Sequence, residues 1–285
     1  VSNAVAITGT AAAIATACGN VTAATANISI SDAHTINNLK TINDETSGSI
    51  TLANYAVALS GTAAVVKAAL AGTFASAYTG NVTITDGASD TITAADLNTI
   101  AGDTSGTVTV SNAVTITGTS AVATTATTNV TAATANFSLS DTHTIDQLKA
   151  VNNETSGTIT LTNYGVALNG SSSSVAEALS GTFASTYTGD VTLTDNHTLT
   201  ELKTINDGTT GEITLNNYGA AISGTASLAA DVLAGDFGSA YTGAVTLTNA
   251  HTINQLKTVN DQTTGTITLA DYSVALSGTA AVVSA

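Results

Sequence analysis

The side chains best able to do chemistry in this chain arrive by period. The histidines are His34, His143, His197 and His251, separated by 109, 54 and 54 residues. Lys40, Lys149, Lys203 and Lys257 repeat the same intervals, and only Lys67 falls outside them. Histidines in series could hold a metal or serve as bases. On coils stacked at about 4.8 Å, two to a repeat, consecutive histidines would stand about 10 Å apart, whereas metal ligands converge within a few Å. They are therefore expected in turns, hydrogen-bonding at the start of a helix. Lysines beside Asp44, Asp207 and Asp261 are expected to form a repeated surface pair, worth under about 1 kcal/mol each. No repeat gains a chemically distinct group, so the chain reads as a non-enzyme with no catalytic residue.

The acids offer a second chemistry. Asp32, Asp86, Asp141 and Asp195 each close the first strand of their repeat. There they can accept backbone bonds in an Asx-turn or helix cap, or join Asp44 and its equivalents around a structural calcium. The glycine-rich calcium nonapeptide of other β-solenoids is absent. Threonine pairs such as Thr83/Thr85, Thr107/Thr109 and Thr192/Thr194 set hydroxyls about 7 Å apart along a strand and about 4.8 Å between strands, the kind of lattice that ice-binding proteins present. Ser29/Ser31, Ser49 and Glu212 interrupt it, and threonine is in any case a good exposed strand residue. Tyr55, Tyr164, Tyr218 and Tyr272 make one aromatic ladder, and Tyr78, Tyr187 and Tyr241 another, both read as stacked packing. The single cysteine, Cys18, has Thr127 at its equivalent position and is expected as a small buried residue. Asn-x-Ser/Thr sequons at Asn27, Asn81 and Asn136 precede strands, with others at Asn20, Asn129, Asn153, Asn169 and Asn196. They allow a glycan coat.

Those residues need elements to position them, and composition limits which. Of 285 residues 43% are apolar, only 9% are charged and 4% aromatic, with no Trp, Met or Pro. Solubility must rest on Thr, Ser, Asn and Gly. The net charge of −15 excludes a basic face for nucleic acid. No apolar run approaches the roughly 20 residues of a membrane span, and no stretch of these 285 residues reads as a basic-then-apolar leader.

Residues 28–81 match residues 137–190 at a shift of 109, identical at 33 of 54 positions. Full repeats therefore cover 28–81, 82–136 (diverged), 137–190 and 191–244, with partial repeats at 1–27 and 245–285. No linker interrupts them, so 1–285 reads as one continuous array. Each repeat holds two half-coils. In "VTLT" Val191 and Leu193 alternate with Thr192 and Thr194, a half-buried strand. In "TINNLKTIND" Ile36, Leu39 and Ile42 fall on one face of a short helix with Thr35 as N-cap. "GTAAVVKAALAG" gives a second helix that Gly72 can end, and "YAVALSG" offers a further strand. Units this short cannot bury their apolar faces alone, so the expected fold is a repeat solenoid: a parallel, right-handed β-solenoid with short helices (α/β), two coils per 54-residue repeat. Val1 enters at the position equivalent to Val110, and Ala285 stops inside a helix pattern. A segment of a longer rod, or a subunit that associates with itself end to end, is the expectation.

The phrases "YTGNVTITDGASDTITAADLNTIAGDTSGTVTV", "LSGTAAVV" and "TINDETSGSITL" resemble repeats in giant cell-surface proteins of marine cyanobacteria, including those linked to swimming motility. The likeness covers essentially the whole chain and carries over no active-site residue. It implies an extracellular or cell-surface structural protein, a fibre, coat or adhesin stalk. Two other readings follow from the residues: a solenoid that binds ice or carbohydrate through its Thr/Tyr ladders, and a polysaccharide-processing β-helix enzyme, for which no groove of paired carboxylates is evident.

Overall fold

The computed structural model describes residues 5–278. It corrects the expected architecture. The chain does not form a two-coil β-solenoid. It forms an α/β fold with ten helices among the described residues and five small parallel sheets of three to five strands, none of them curled or closed. The reason lies in how each repeat is divided. The strands are only two to four residues long, while the helices run eight to ten. So short a strand makes few ladder bonds, and helix packing closes much of the interior instead.

Contacts divide the chain into two compact units, residues 1–140 with 153–160, and residues 141–152 with 161–285. In the first unit α1 (Ala11–Cys18), α2 (Ile36–Glu45), α3 (Ala63–Leu70), α4 (Ala94–Asp103) and α5 (Ser120–Asn129) pack each on the next. Helix α6 (Ile145–Glu154) opens in the second unit. There α7 (Ser172–Leu179), α8 (Leu199–Gly208), α9 (Ala226–Leu233) and α10 (Ile253–Gln262) pack in the same serial way. The expected continuation of a helix at Ala285 lies outside the described residues. No helix among them is long and apolar enough to cross a membrane.

Local sequence explains the helices. Thr35 accepts a bond from the Asn38 amide and starts α2. Leu39 and Ile42 are fully buried from that helix, each worth about 1.5–3 kcal/mol against exposure. Thr46 then turns the backbone extended, at φ −135° and ψ 139°. Its hydroxyl donates to the Ala26 carbonyl at 2.6 Å and accepts from the Gly48 amide at 3.0 Å. The same lock follows α4, α6, α8 and α10 at Thr104, Thr155, Thr209 and Thr263. A Cβ on Gly48 would stand 2.1 Å from that Ala26 oxygen, so the Thr-x-Gly pattern records a close approach of two backbones. The "YAVALSG" segment pairs only over Leu59–Gly61.

The strands pair parallel and in register. Val82, Thr83 and Ile84 lie beside Val108, Thr109 and Val110. Val82, Ile84, Val108 and Val110 are buried, and Thr83 and Thr109 face outward, half-buried. Thus the alternation read from sequence is obeyed inside each sheet, although the sheets do not join into the expected wall.

Candidate functional site

The four periodic histidines occupy the turn immediately before a helix, as expected, but they are core residues. His34, His143, His197 and His251 are 4–6% exposed. The bonds of His34, His143 and His197 also run elsewhere than to the helix start. His34 Nε2 lies 3.0 Å from the Tyr78 hydroxyl, and that hydroxyl donates to the Val57 carbonyl at 2.6 Å. His143, Tyr187 and Val166 repeat the arrangement at 2.8 and 2.7 Å. His197, Tyr241 and Ala220 repeat it at 3.2 and 2.6 Å.

A carbonyl can only accept, so the tyrosine proton is committed to it. The tyrosine oxygen must then accept from the imidazole, which fixes the neutral tautomer with its proton on Nε2. The other ring nitrogen, Nδ1, is buried without a hydrogen-bond partner in His34, His143, His197 and His251. Burial pulls His34, His143 and His197 below the usual histidine value, against smaller opposite effects of Asp32 on His34, Asp141 on His143, and Glu201 and Asp195 on His197. Burial also pushes the Tyr78 and Tyr241 phenols up to about 12, and Tyr187 higher still. Chemically the relay is a fixed, neutral donor chain. It joins the turn before one helix to two later loops of the same repeat.

The tyrosine ladders resolve differently from stacked rings. Tyr78 packs edge-on against His34 and tilted against Phe74, and Tyr187 does the same with His143 and Phe183. In the other ladder Tyr55 and Tyr164 each accept, through the hydroxyl, an amide three residues upstream, at 3.1 Å.

The aspartates singled out for calcium sit on helix starts. Asp32 accepts the Ala11 amide, Asp86 the Ala63 amide and Asp195 the Ser172 amide, each at 2.7 Å. Each donating amide opens a helix, where four N–H groups lack intrahelical partners and the dipole favours a negative charge. In the last copy Asn249 takes this place, bonding the Ala226 amide at 2.9 Å, so the geometry is retained without the charge. Asp141 lies beside His143 and acts on it electrostatically. Among the described residues no three His, Cys, Asp or Glu side chains come together as a metal site would require.

Helix ends are finished in the complementary way. Asn43 gives its side-chain amide to the Ala69 carbonyl at the end of α3, and Asn152 gives its own to the Glu177 carbonyl in α7. The lysine pairs form on the surface at Lys40–Asp44 (2.5 Å), Lys203–Asp207 (2.5 Å) and Lys257–Asp261 (2.8 Å). Where the aspartate is replaced by Asn153, Lys149 turns to Glu177 instead, at 2.8 Å. Cys18 is buried, and burial with Glu45 raises its thiol above the ordinary range, which disfavours the nucleophilic thiolate.

Two features of the surface stand beside these buried bonds. In-register columns of small polar side chains line the outer sheet faces: Ser60, Thr83, Thr109 and Thr131 in one sheet, and Asn169, Thr192 and Thr214 in another. An open groove of about 470 Å³ runs beside the starts of α6 and α7, lined among others by His143, Thr144, Asp146, Asn169, Ser171 and Ser174. The Ser171 hydroxyl and the Asp195 carboxylate already satisfy the Ser174 and Ser172 amides there.

The carbonyl acceptors of the relay could not be found by sequence, since nothing in a side chain marks Val57, Val166 or Ala220. The tyrosines could have been paired with the histidines by their constant separation of 44 residues. Compared with protein families, with curated proteins and with solved structures, the chain matches none of them.

Proposed function

We propose that this chain is an extracellular structural repeat protein, part of a fibre, surface coat or adhesin stalk, that acts mechanically and not as an enzyme. One observation carries the reading. The residues whose types could do chemistry are engaged, repeat after repeat, in tying neighbouring segments together: histidine to tyrosine to carbonyl, aspartate to helix start, threonine to backbone carbonyl. A bond set repeated in this way resists extension by the same means in each repeat that carries it. Its partners on this reading are further repeats of the same kind, with glycans at the sequons. The test is immunogold labelling of intact cells that make the protein. Label on external fibres or a continuous coat is expected, and label seen only after permeabilisation overturns the reading.

The in-register hydroxyl columns favour a second reading, recognition of ice through the outer sheet faces. Neighbouring hydroxyls recur at the strand spacing of about 4.8 Å in one direction. Thermal hysteresis by the purified chain, abolished by replacing Thr83 and Thr109 with lysine, would support it, and its absence in the unmodified chain removes it.

A further inference from the structure

Each full repeat except 82–136 encloses one relay, and every relay has the same unfinished feature: a buried imidazole nitrogen with a free lone pair. We propose that the three relays are acid-sensitive latches, each closing its repeat while the histidine is neutral and opening when Nδ1 takes a proton.

The argument is geometric first. Nε2 already donates to a tyrosine whose own proton is held by a carbonyl. A second proton must therefore go to Nδ1, where the new N–H has no acceptor and the new charge is out of water. An unmatched buried donor and a buried charge both cost free energy. The groups facing each ring are few. Asp32 precedes His34, but its carboxylate is engaged with the Ala11 amide. Asp141 precedes His143. His197 has Asp195, engaged with the Ser172 amide, and Glu201, engaged with the Thr198 amide. From the later loops come Tyr78, Tyr187 and Tyr241, which accept from the ring and hold their own protons. The carboxylates favour the charged ring, but burial is the larger effect at all three.

The direction follows by linkage. Above about pH 6.5 the histidine is neutral in both the folded and unfolded chain, and folding carries no proton cost. Below that value the unfolded chain binds the proton first, so stability falls as pH falls. Each histidine can change the folding equilibrium up to about tenfold per pH unit, and three within one cooperative unfolding step up to about a thousandfold. The relay bond to a tyrosine is made by His34, His143 and His197, and the count rests on these three.

The test uses the full chain and a triple variant, H34Q/H143Q/H197Q, in which an amide N–H can still reach the tyrosine but cannot titrate. Urea midpoints are taken at about pH 7.5 and about pH 5, where carboxylate titration is common to both chains and cancels in the comparison. The unmodified chain should lose far more of its midpoint in acid than the variant. In parallel, ¹⁵N NMR of the folded chain at about pH 6 should show the three rings neutral and protonated on Nε2, while in urea they are largely charged. Equal acid losses in both chains, or rings that titrate alike folded and unfolded, overturn the proposal. If the triple variant fails to fold, the NMR titration of the unmodified chain decides alone.

Discussion

The repeats at 28–81 and 82–136 solve one problem in two ways. The first carries His34, Tyr78 and Gly80, and a Cβ on Gly80 would stand 2.1 Å from the Val57 oxygen and 2.8 Å from the Tyr78 ring. Glycine is required there because the relay passes so close. In the second repeat the matching residues are Ala88, Ala133 and Ala135, and Ala135 is fully buried without difficulty. The histidine turn is replaced by a tight turn in which the Asp90 carboxylate takes the Gly87 amide, followed by a strand, Thr91–Thr93, that pairs with Thr115–Thr117. The partial repeat at 1–27 also reads Ala24-Thr25-Ala26 where Tyr78-Thr79-Gly80 stands later. Among the full repeats histidine, tyrosine and glycine thus come and go together. One frame can be closed either by a side-chain relay or by extra backbone pairing, and the relay is exchanged as a set.

The sharpest way to break this comparison is to remove the relay's ring. Tyr187→Ala should destabilise the chain by about 3–5 kcal/mol, since it leaves a cavity and strands both His143 and the Val166 carbonyl. Next, Gly189→Ala alone should cost about 1–3 kcal/mol, because the added methyl meets Val166 and the Tyr187 ring. Added to Tyr187→Ala, it should cost clearly less, since the double variant recreates the Ala-x-Ala form of the 82–136 repeat. Urea denaturation of the four chains measures the cycle, and strict additivity would refute the idea of a set.

Tyr187→Phe keeps the ring and removes only the hydroxyl, so about 1–3 kcal/mol is expected for the unpaired groups left behind. Alkali should then separate the two kinds of repeat. The phenols at Tyr78 and Tyr241 are raised to about 12, so the folded chain keeps its protons while the unfolded chain ionises from about pH 10. Stability is full below about pH 10 and falls as pH rises toward 12. Hydrogen exchange should show the segments around Tyr78 and Tyr241 loosening before residues 108–136. The smallest effect belongs to the surface pairs. Lys203→Ala, which breaks bonds to both Asp207 and Asp231, should move the urea midpoint least of all these changes, and less still at high salt.

Sequence alone determined the elements that depend on neighbours along the chain. Helix α2 and its Thr35 cap, the half-buried alternation at 191–194, the Lys–Asp pairs four residues apart and the repeat frame itself all rest on short-range spacing, and all can be read directly. Tertiary structure decided the rest. Whether two-to-four-residue strands join into a curled wall or remain as separate small sheets depends on how the helices between them pack, and periodicity is silent on that: the same repeat that suits a solenoid folds here without one. Spacing puts the histidines in the right turn but does not by itself name their partner, which lies 44 residues away, or the final acceptor, a backbone carbonyl without a sequence signature. The aspartates can be read from sequence as backbone acceptors or as calcium ligands, but not matched to their partners, because the helix start each one serves lies 21 to 23 residues upstream. Short-range order follows from side-chain chemistry and spacing, whereas the partner of a buried polar group is fixed only when distant segments close around it.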